Sequence, residues 1–173
     1  MKLVRPSAKY EKSFKQAVQE FKDAKFDSHY HDAFANLQNI GFDEFVKNEV
    51  EKSKGKHLQK GYVPETVFWL VEGNEYIGRI SVRHELNDNL LRIGGHIGYE
   101  IRPSRRGQGY GTAILAKVLT KVRRLGIKRV LLTCDATNII SRRIIERAGG
   151  VLENEVSNAS GPNKLRFWID ITR

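Results

Sequence analysis

The sequence contains almost no cysteine, and this limits both its covalent structure and its expected setting. Cys134 is the only cysteine among 173 residues, so no disulfide can form within the chain. Such usage is typical of a reducing compartment, and we expect a cytoplasmic protein. The segment from Met1 to Pro6 has no apolar run of signal-peptide length, which agrees with that expectation.

Long hydrophobic runs are also missing. No apolar run approaches the roughly 20 residues that span a bilayer, so we expect no transmembrane helix and no membrane partner. Apolar residues make up 40% of the chain and charged residues 29%, which is ordinary for a globular protein. The sequence shows no internal repeat and no low-complexity segment. We therefore expect one domain that spans residues 1–173.

Negative charge is in deficit: the formal net charge is +10 and the sequence pI is near 9.8. Such an excess is compatible with nucleic acid, an anionic membrane or a phosphorylated cofactor as partner. No pattern of aromatic residues among basic ones supports base stacking, so we expect no nucleic acid. Most of the positive charge is interpreted as a solvated surface, and its densest cluster surrounds a glycine-rich segment.

That segment, residues 96–126, predicts a strand, a loop and a helix. Ile97, Tyr99 and Ile101 alternate as in a β-strand, and Pro103 is expected to end it. Apolar residues then recur at helical spacing until Gly126, a typical helix stop. Between them, three glycines at every second position (Gly107, Gly109 and Gly111) let the backbone approach a ligand and direct N–H groups at it. A pyrophosphate suits this arrangement at a helix N-terminus.

Several interpretations of the glycine loop compete. A dinucleotide-binding loop requires G-x-G-x-x-G and a later acidic residue, whereas the spacing here is G-x-G-x-G. A P-loop requires a lysine before its hydroxyl residue, and Gly111-Thr112 has none. A turn without a ligand is the simplest alternative. The remaining pattern, Arg106-x-x-Gly109-x-Gly111, resembles the coenzyme A pyrophosphate loop of the GNAT superfamily of N-acetyltransferases.

The order of predicted elements is β α α β β β α β α β β. Ser7, Asp43 and Asn138 are the predicted N-caps of the first, second and last helices. Strands that follow one another directly and then a β-α-β crossover predict a mixed sheet. His29 and His31 lie in an ambiguous segment, residues 26–42, at a spacing unlike that of a zinc-binding helix, so no metal is expected.

The resemblance to the GNAT family extends along nearly the whole chain. Its second motif is N-x-x-S-x-x-x-I-x-x-x-G, from Asn138 to Gly149. The family likeness implies an α/β (α+β) fold: a mixed, largely antiparallel central sheet of about seven strands flanked by about four helices. The blocks TCDATNIISRRIIERAGGVLENEV and GHIGYEIRP look like a bacterial subgroup of predicted acetyltransferases whose substrates are unknown.

The resemblance implies acetyl-CoA as the cofactor. The N–H groups from Arg106 to Thr112 are expected to surround the pyrophosphate, and the backbone of Ile101 and Arg102 to pair with the pantetheine arm. The Asn138 amide and Ser141 are expected along the same arm, with Arg142 or Arg143 near the phosphates. The full expected set is Ile101, Arg102, Arg105, Arg106, Gly107, Gln108, Gly109, Tyr110, Gly111, Thr112, Asn138, Ser141 and Arg142.

The implied reaction is direct attack of an amine on the acetyl thioester, with both substrates bound together. Strand alternation makes Glu100 and His96 the candidate general bases, unless a bulge near Gly94-Gly95 changes their direction. His84 and Glu85 are weaker candidates. The family likeness places the oxyanion donor at a backbone N–H of Ile101 or beside it.

One position departs from the family pattern: the tyrosine that often protonates the departing thiolate is Ile145 here. Tyr99 or Tyr110 could replace it, or the thiolate could leave unassisted. The departure motivates an alternative, an acyl-CoA-binding sensor or interaction module without catalysis. The acceptor, a small-molecule or protein amine, stays open, as does the oligomeric state, with a homodimer through the aromatic terminal hairpin as one option.

Overall fold

The seven strands and the four α-helices whose bounds lie within the described residues follow one another in the predicted order. The computed structural model describes residues 1–24, 37 and 39–172. The strands are β1 Lys2–Val4, β2 Glu65–Glu72, β3 Glu75–Arg83, β4 Ile97–Ile101, β5 Arg129–Asp135, β6 Val151–Val156 and β7 Lys164–Asp170, and the helices are α1 Glu11–Asp23, α2 Phe42–Glu51, α3 Tyr110–Val122 and α4 Ile139–Arg147. The α/β class and the strand number are confirmed. His29 and His31 lie outside the described residues.

The strands form two antiparallel sheets, with orders β1-β2-β3-β4 and β5-β7-β6. The sheets meet at one end of β4, where the His96 N–H donates to the Leu131 carbonyl at 2.7 Å. Gly95 permits this approach, because a Cβ there would lie 2.7 Å from the Leu131 oxygen. Along Ile97–Ile101 the described residues form no ladder with β5, so this edge of β4 is open.

Each face of the four-stranded sheet carries its own apolar core. On the face covered by α1 and α2, Phe14 stacks on Trp69 with ring centroids 4.8 Å apart. On the opposite face, Ile114 and Leu115 of α3 pack with Ile80 and other fully buried residues. Burial on both sides explains why β2 is apolar at every position from Val67 to Val71.

Two of the three predicted helix caps are confirmed. The Ser7 side chain accepts from the Lys9 N–H and caps the 3-10 turn Ala8–Tyr10, which leads directly into α1. The Asn138 side chain accepts from the Ser141 N–H at 2.9 Å and caps α4. The cap predicted at Asp43 is wrong: α2 begins one residue earlier, with Gly41 as its N-cap. Asp43 lies in the first turn, where its carboxylate interacts favourably with the positive end of the helix.

A buried ion pair ties the end of β4 to α1. Arg102 is 5% exposed, and its guanidinium donates to the Glu20 carboxylate, to Glu75 and to the Tyr76 carbonyl. Glu20 also accepts from the N–H and the hydroxyl of Ser104, at 3.1 and 2.9 Å. Burial opposes ionisation of Glu20, but the hydrogen bonds from Arg102 and Ser104 outweigh it and lower the pKa of this carboxyl. The start of the glycine loop is thereby attached to α1.

We expect Glu20→Gln to lower the free energy of unfolding by about 2 kcal/mol at pH 7, since it removes charge-assisted bonds to a buried guanidinium. The folded-state pKa of Glu20 lies below its unfolded value. Its contribution is therefore present above the unfolded pKa, about 4.3, and is lost as the pH falls through the folded pKa. Urea unfolding at pH 7 and at pH 3 should show the difference between wild type and variant shrinking in acid.

The matched control is Glu11→Gln on the same helix, whose exposed carboxylate pairs with Lys15. It should change stability by less than about 1 kcal/mol. Equal losses in the two variants at pH 7 would contradict the assigned role of Glu20.

Candidate active site

The glycine loop presents exposed backbone N–H groups at the start of α3. Gly107 and Gly109 have φ values of 74° and 83°, in the left-handed region, and open space surrounds both. Among the described residues, no acceptor bonds the N–H groups of Gly107, Gln108 and Gly109. The first-turn N–H groups of α3 add to them, because they have no intrahelical acceptor and lie at the positive end of the helix dipole. The cradle fits the pyrophosphate of coenzyme A.

Gly111 brings the loop against both neighbouring elements. A Cβ at this position would lie 2.8 Å from Cδ1 of Ile144 on α4 and 3.9 Å from Cε2 of Tyr99 on β4. The first turn of α3 therefore packs closely on α4 and over the open edge of β4. Loop, helix and strand edge form one continuous surface.

The charged side chains of the loop are held by protein groups. Arg105 forms two hydrogen bonds with the Glu75 carboxylate. Arg106 donates from Nε to the Ile101 carbonyl at 3.1 Å, and its guanidinium lies 5.6 Å from the Phe21 ring centre. Arg142 pairs with Glu146 on the surface of α4 at 2.8 Å. Gln108 donates to the Ser104 carbonyl at 3.2 Å, and Thr112 is exposed in the first turn of α3.

The open edge of β4 follows from its hydrogen bonds with β3. The Arg83 N–H donates to the His96 carbonyl at 2.8 Å, and the Arg102 N–H donates to the Ile77 carbonyl at 2.9 Å. Since backbone groups alternate in direction along a strand, those of Tyr99 and Ile101 face the gap beside β5. Pairing of the Ile101 backbone with the pantetheine arm stays a prediction. The prediction for Arg102 is corrected, because its N–H is used by β3 and its side chain by Glu20.

A tyrosine from β4 meets α4 beside this gap. The Tyr99 hydroxyl lies 3.3 Å from Oγ of Ser141, and burial raises the pKa of the phenol. Ile145, at the position of the family's usual tyrosine, is 1% exposed and belongs to the core. Tyr110, the other candidate, donates its hydroxyl to Glu72 at the end of β2, 2.8 Å away. Of the two tyrosines, Tyr99 is the one whose hydroxyl lies beside the helix that Asn138 caps.

His96 serves the junction between the sheets, which corrects its assignment as a base. Its Nδ1 accepts the Leu131 N–H at 2.9 Å, so the neutral ring carries its proton on Nε2. Burial and then the nearby charge of Arg83 lower the pKa of His96 to about 4. The ring is neutral at pH 7, and its basic nitrogen is already occupied. His96 precedes β4, which begins at Ile97, so the strand alternation that was expected to align it with Glu100 does not include it.

Glu100 lies half-buried on the face of β4 that α1 covers, opposite Arg79 of β3. Its carboxylate is close enough to Tyr76 to help raise the pKa of that phenol, after the larger effect of burial. Of the weaker candidates, the ring of His84 bonds the Thr66 hydroxyl at 2.8 Å, and Glu85 is exposed. Glu100 as the base stays a prediction.

A cavity of about 380 Å³ opens on the same face of the sheet. Apolar rings of Phe14 and Phe45 form part of its wall, and Gly98 of β4 forms another part. Its charged lining residues are Glu49, Lys52, Glu65, Arg79 and Arg83. Sequence patterns did not identify this cavity, because its walls come from α1, α2, β3 and the segment around Asn87 to Gly94.

Membrane-spanning and metal-binding features were also considered for the described part of the chain. Its helices include none that is long and apolar enough to cross a bilayer. The same residues contain no group of three or more His, Cys, Asp or Glu side chains arranged to hold a metal ion.

Solved structures with the same fold are acetyltransferases. The acetyltransferase of Salmonella typhimurium that modifies the N-terminal serine of a 50S ribosomal subunit protein is 17% identical, with a TM-score of 0.65 over 97% of this chain and 93% of that one. The microcin self-immunity acetyltransferase MccE, in complex with acetyl-CoA and AMP, is 17% identical, with a TM-score of 0.66 over 97% and 91%. A variant of the spermidine N-acetyltransferase SpeG from Vibrio cholerae is 15% identical, with a TM-score of 0.62 over 99% and 96%.

The sequence comparison identifies the family. No curated protein matches the chain significantly. The family model described as "Acetyltransferase (GNAT) domain" matches residues 16–151, most of the chain. The chain therefore belongs to the GNAT acetyltransferase family and is an acetyl-CoA-dependent N-acetyltransferase.

Proposed function

We propose that the enzyme holds acetyl-CoA along the open edge of β4 and acetylates an amine that enters from the cavity on the α1 and α2 face. The observation that carries this proposal is the position of β4. Its open edge begins at the glycine loop, and its Gly98 forms part of the cavity wall. A cofactor bound at the edge and an acceptor bound in the cavity would meet across one strand and react directly.

Acetyl-CoA supplies an activated acetyl thioester, and the chain supplies its binding groups. The N–H groups of Gly107 to Thr112 receive the pyrophosphate. The backbone of Ile101 and Tyr99 pairs with the pantetheine arm by β-addition. Because Oδ1 of Asn138 caps α4, its amide nitrogen is the group available to the arm, with Ser141 beside it. Arg105, Arg106 and Arg142 provide positive charge around the phosphates.

Proton transfer is assigned to Glu100 and Tyr99. An ordinary alkylamine has a pKa of about 10.4, so it must lose a proton before attack, and Glu100 accepts it directly or through water. The N–H groups at Tyr99 and Ile101 stabilise the negative charge that develops on the carbonyl oxygen. As the new C–N bond forms and the C–S bond breaks, the Tyr99 hydroxyl gives its proton to the sulfur. Solvent restores that proton.

The acceptor, location and assembly are further parts of this proposal. The similar proteins act on a protein N-terminal serine or are named for spermidine, so both kinds of amine belong in a substrate screen.

The single buried thiol, Cys134, supports a cytoplasmic location. The exposed residues Val151 and Leu152 of β6 support a homodimer, which sedimentation analysis would test.

We expect Gly109→Ala to weaken acetyl-CoA binding by at least about tenfold, because a Cβ strains the left-handed backbone that directs the loop N–H groups. Calorimetric titration with coenzyme A measures the effect. Gly126→Ala is the matched control, since Gly126 has φ 78° and equally open surroundings but ends the segment after α3. Equal affinity losses in both variants would show that the loop does not hold the cofactor.

We expect Tyr99→Phe to lower kcat by about a hundredfold with little change in the KM for acetyl-CoA. The raised pKa keeps the phenol protonated at neutral pH, and its contribution is lost only as the pH rises through a value above about 10. Steady-state release of free coenzyme A measures both constants. Tyr110→Phe, whose hydroxyl bonds Glu72, is the control and should retain the wild-type kcat. A Tyr99→Phe enzyme with full kcat would mean that the thiolate leaves without this acid.

We expect Glu100→Gln to lower kcat/KM for the amine at pH 7, with a loss that shrinks as the pH approaches the pKa of the amine. At high pH the free amine is abundant and needs no base. A pH–rate profile from pH 6 to pH 10 tests this, with exposed Glu85→Gln as the control. A profile that matches the wild type at every pH would remove Glu100 from the mechanism.

A further inference from the structure

The cavity lining contains a charge-balanced cluster of four side chains. Arg79 donates to Glu49 at 3.3 Å and to Glu65 at 3.0 Å. Lys52 also pairs with Glu49 and lies 3.9 Å from Glu65. Burial disfavours ionisation of Glu65, but Arg79 and Lys52 outweigh it and lower the pKa of this carboxyl. Two carboxylates and two cations therefore offset one another, and neither glutamate is left to attract a cationic ligand.

Arg83 adds a fifth charge to this lining, a third cation beside two carboxylates. Within the described residues, no carboxylate lies within ion-pair distance of its guanidinium. Its Nη1 donates to the carbonyls of Gly94 and Gly95, at 3.1 and 3.0 Å. Its Nε and Nη2 donate to no described residue, and burial lowers the pKa of the group by more than the attraction of Glu65, which lies beyond ion-pair distance, raises it.

The guanidinium of Arg83 is fixed beside β4. A Cβ at Gly98 would lie 3.7 Å from Nη2 of Arg83 and 3.9 Å from the Ser81 hydroxyl. Gly98 precedes Tyr99, whose backbone faces the open edge on the other side of the strand. The missing side chain at Gly98 thus leaves space between Arg83 and the strand that is proposed to carry the thioester.

We propose that Arg83 binds a carboxylate of the acceptor, so that the substrate is an amine that carries an anionic group. This inference rests on the proposed function and names the substrate class for the same site. Nε and Nη2 form one planar edge of the guanidinium, and two parallel N–H groups match the two oxygens of a carboxylate. The bidentate pair orients the molecule with its amine toward β4, while Phe14 and Phe45 receive its apolar part.

A set of amines with one two-carbon spacer and different terminal groups tests this assignment. β-Alanine carries a carboxylate, taurine a sulfonate, O-phosphoethanolamine a phosphate, β-alaninamide a neutral amide and 1,3-diaminopropane an aminomethyl group, whose ammonium is a second cation. We expect β-alanine to be acetylated at least about tenfold faster than β-alaninamide, in kcat/KM, and 1,3-diaminopropane to be the poorest. If taurine or O-phosphoethanolamine were the best acceptor, Arg83 would still be the anion site, but its ligand would be a sulfonate or a phosphate and the carboxylate assignment would be overturned.

Variants separate recognition by Arg83 from a purely structural role. Arg83→Gln keeps a donor for the Gly94 carbonyl but removes the charge, and should reduce the preference for β-alanine over β-alaninamide about ten- to a hundredfold. Arg92→Gln is the matched control, because Arg92 also donates Nη1 to a backbone carbonyl, that of Ser157, but lies outside the cavity. An unchanged preference in Arg83→Gln, or a wild-type preference for the amide or the diamine, would overturn the inference.

Binding measured by thermal shift applies where turnover of these small amines is too slow to measure. With coenzyme A present, β-alanine should raise the Tm of the wild type and of Arg92→Gln but not that of Arg83→Gln, and a Tm that no anionic amine raises would contradict the inference. Coenzyme A alone should stabilise all three proteins equally. Loss of that response in the wild type would instead refute the proposed function, so the two failures are distinguishable.

Discussion

The buried pair between Arg102 and Glu20 connects the end of β4 to α1, and the geometry of the proposed site depends on it. Arg102 follows β4 directly, and Glu20 holds both Arg102 and the backbone of Ser104, the residue before Arg105. A guanidinium that is 5% exposed needs this carboxylate, because an unpaired buried charge costs several kcal/mol. The pair therefore sets where β4 ends and where the glycine loop begins.

A second constraint keeps β4 open along the rest of its length. The backbone and ring of His96 join the two sheets at Leu131, and Gly95 makes the close approach feasible. On this side, β4 is joined to β5 only at one end. The remaining N–H and C=O groups of this edge are therefore presented to a ligand instead of to a neighbouring strand. The open edge of β4 faces the glycine loop and α4, and the face of the sheet that α1 and α2 cover carries the cavity. In the proposed function, the acetyl donor and the acceptor amine therefore lie on separate sides of β4.

Charge compensation distinguishes the functional cations from the many others in a chain with net charge +10. Arg79, Arg102 and Arg105 are each neutralised by glutamates. Arg83 combines partial burial with the lack of a salt bridge to any described carboxylate, and the attraction of Glu65 does not offset its desolvation. Desolvation without compensation is unfavourable for the folded protein, and a bound anion would relieve it. This physical imbalance, not the number of basic residues, carries the inference about the acceptor.

The sequence by itself determined the features that depend on short-range patterns. The order of elements, the glycine spacing before α3 and the cap at Asn138 follow from periodicity, backbone freedom and local hydrogen bonds, and each is present in the structure. Only the tertiary structure decided which groups face one another. His96 lies before β4 and joins Leu131 through its backbone and its ring, so its interpretation as a base failed. The backbone N–H of Arg102, which was expected to pair with the cofactor, donates to Ile77, and the side chain of Arg102 pairs with Glu20. The choice of Tyr99 over Tyr110, and the cavity with Arg83, depend on contacts between residues far apart in the chain, which local patterns do not encode.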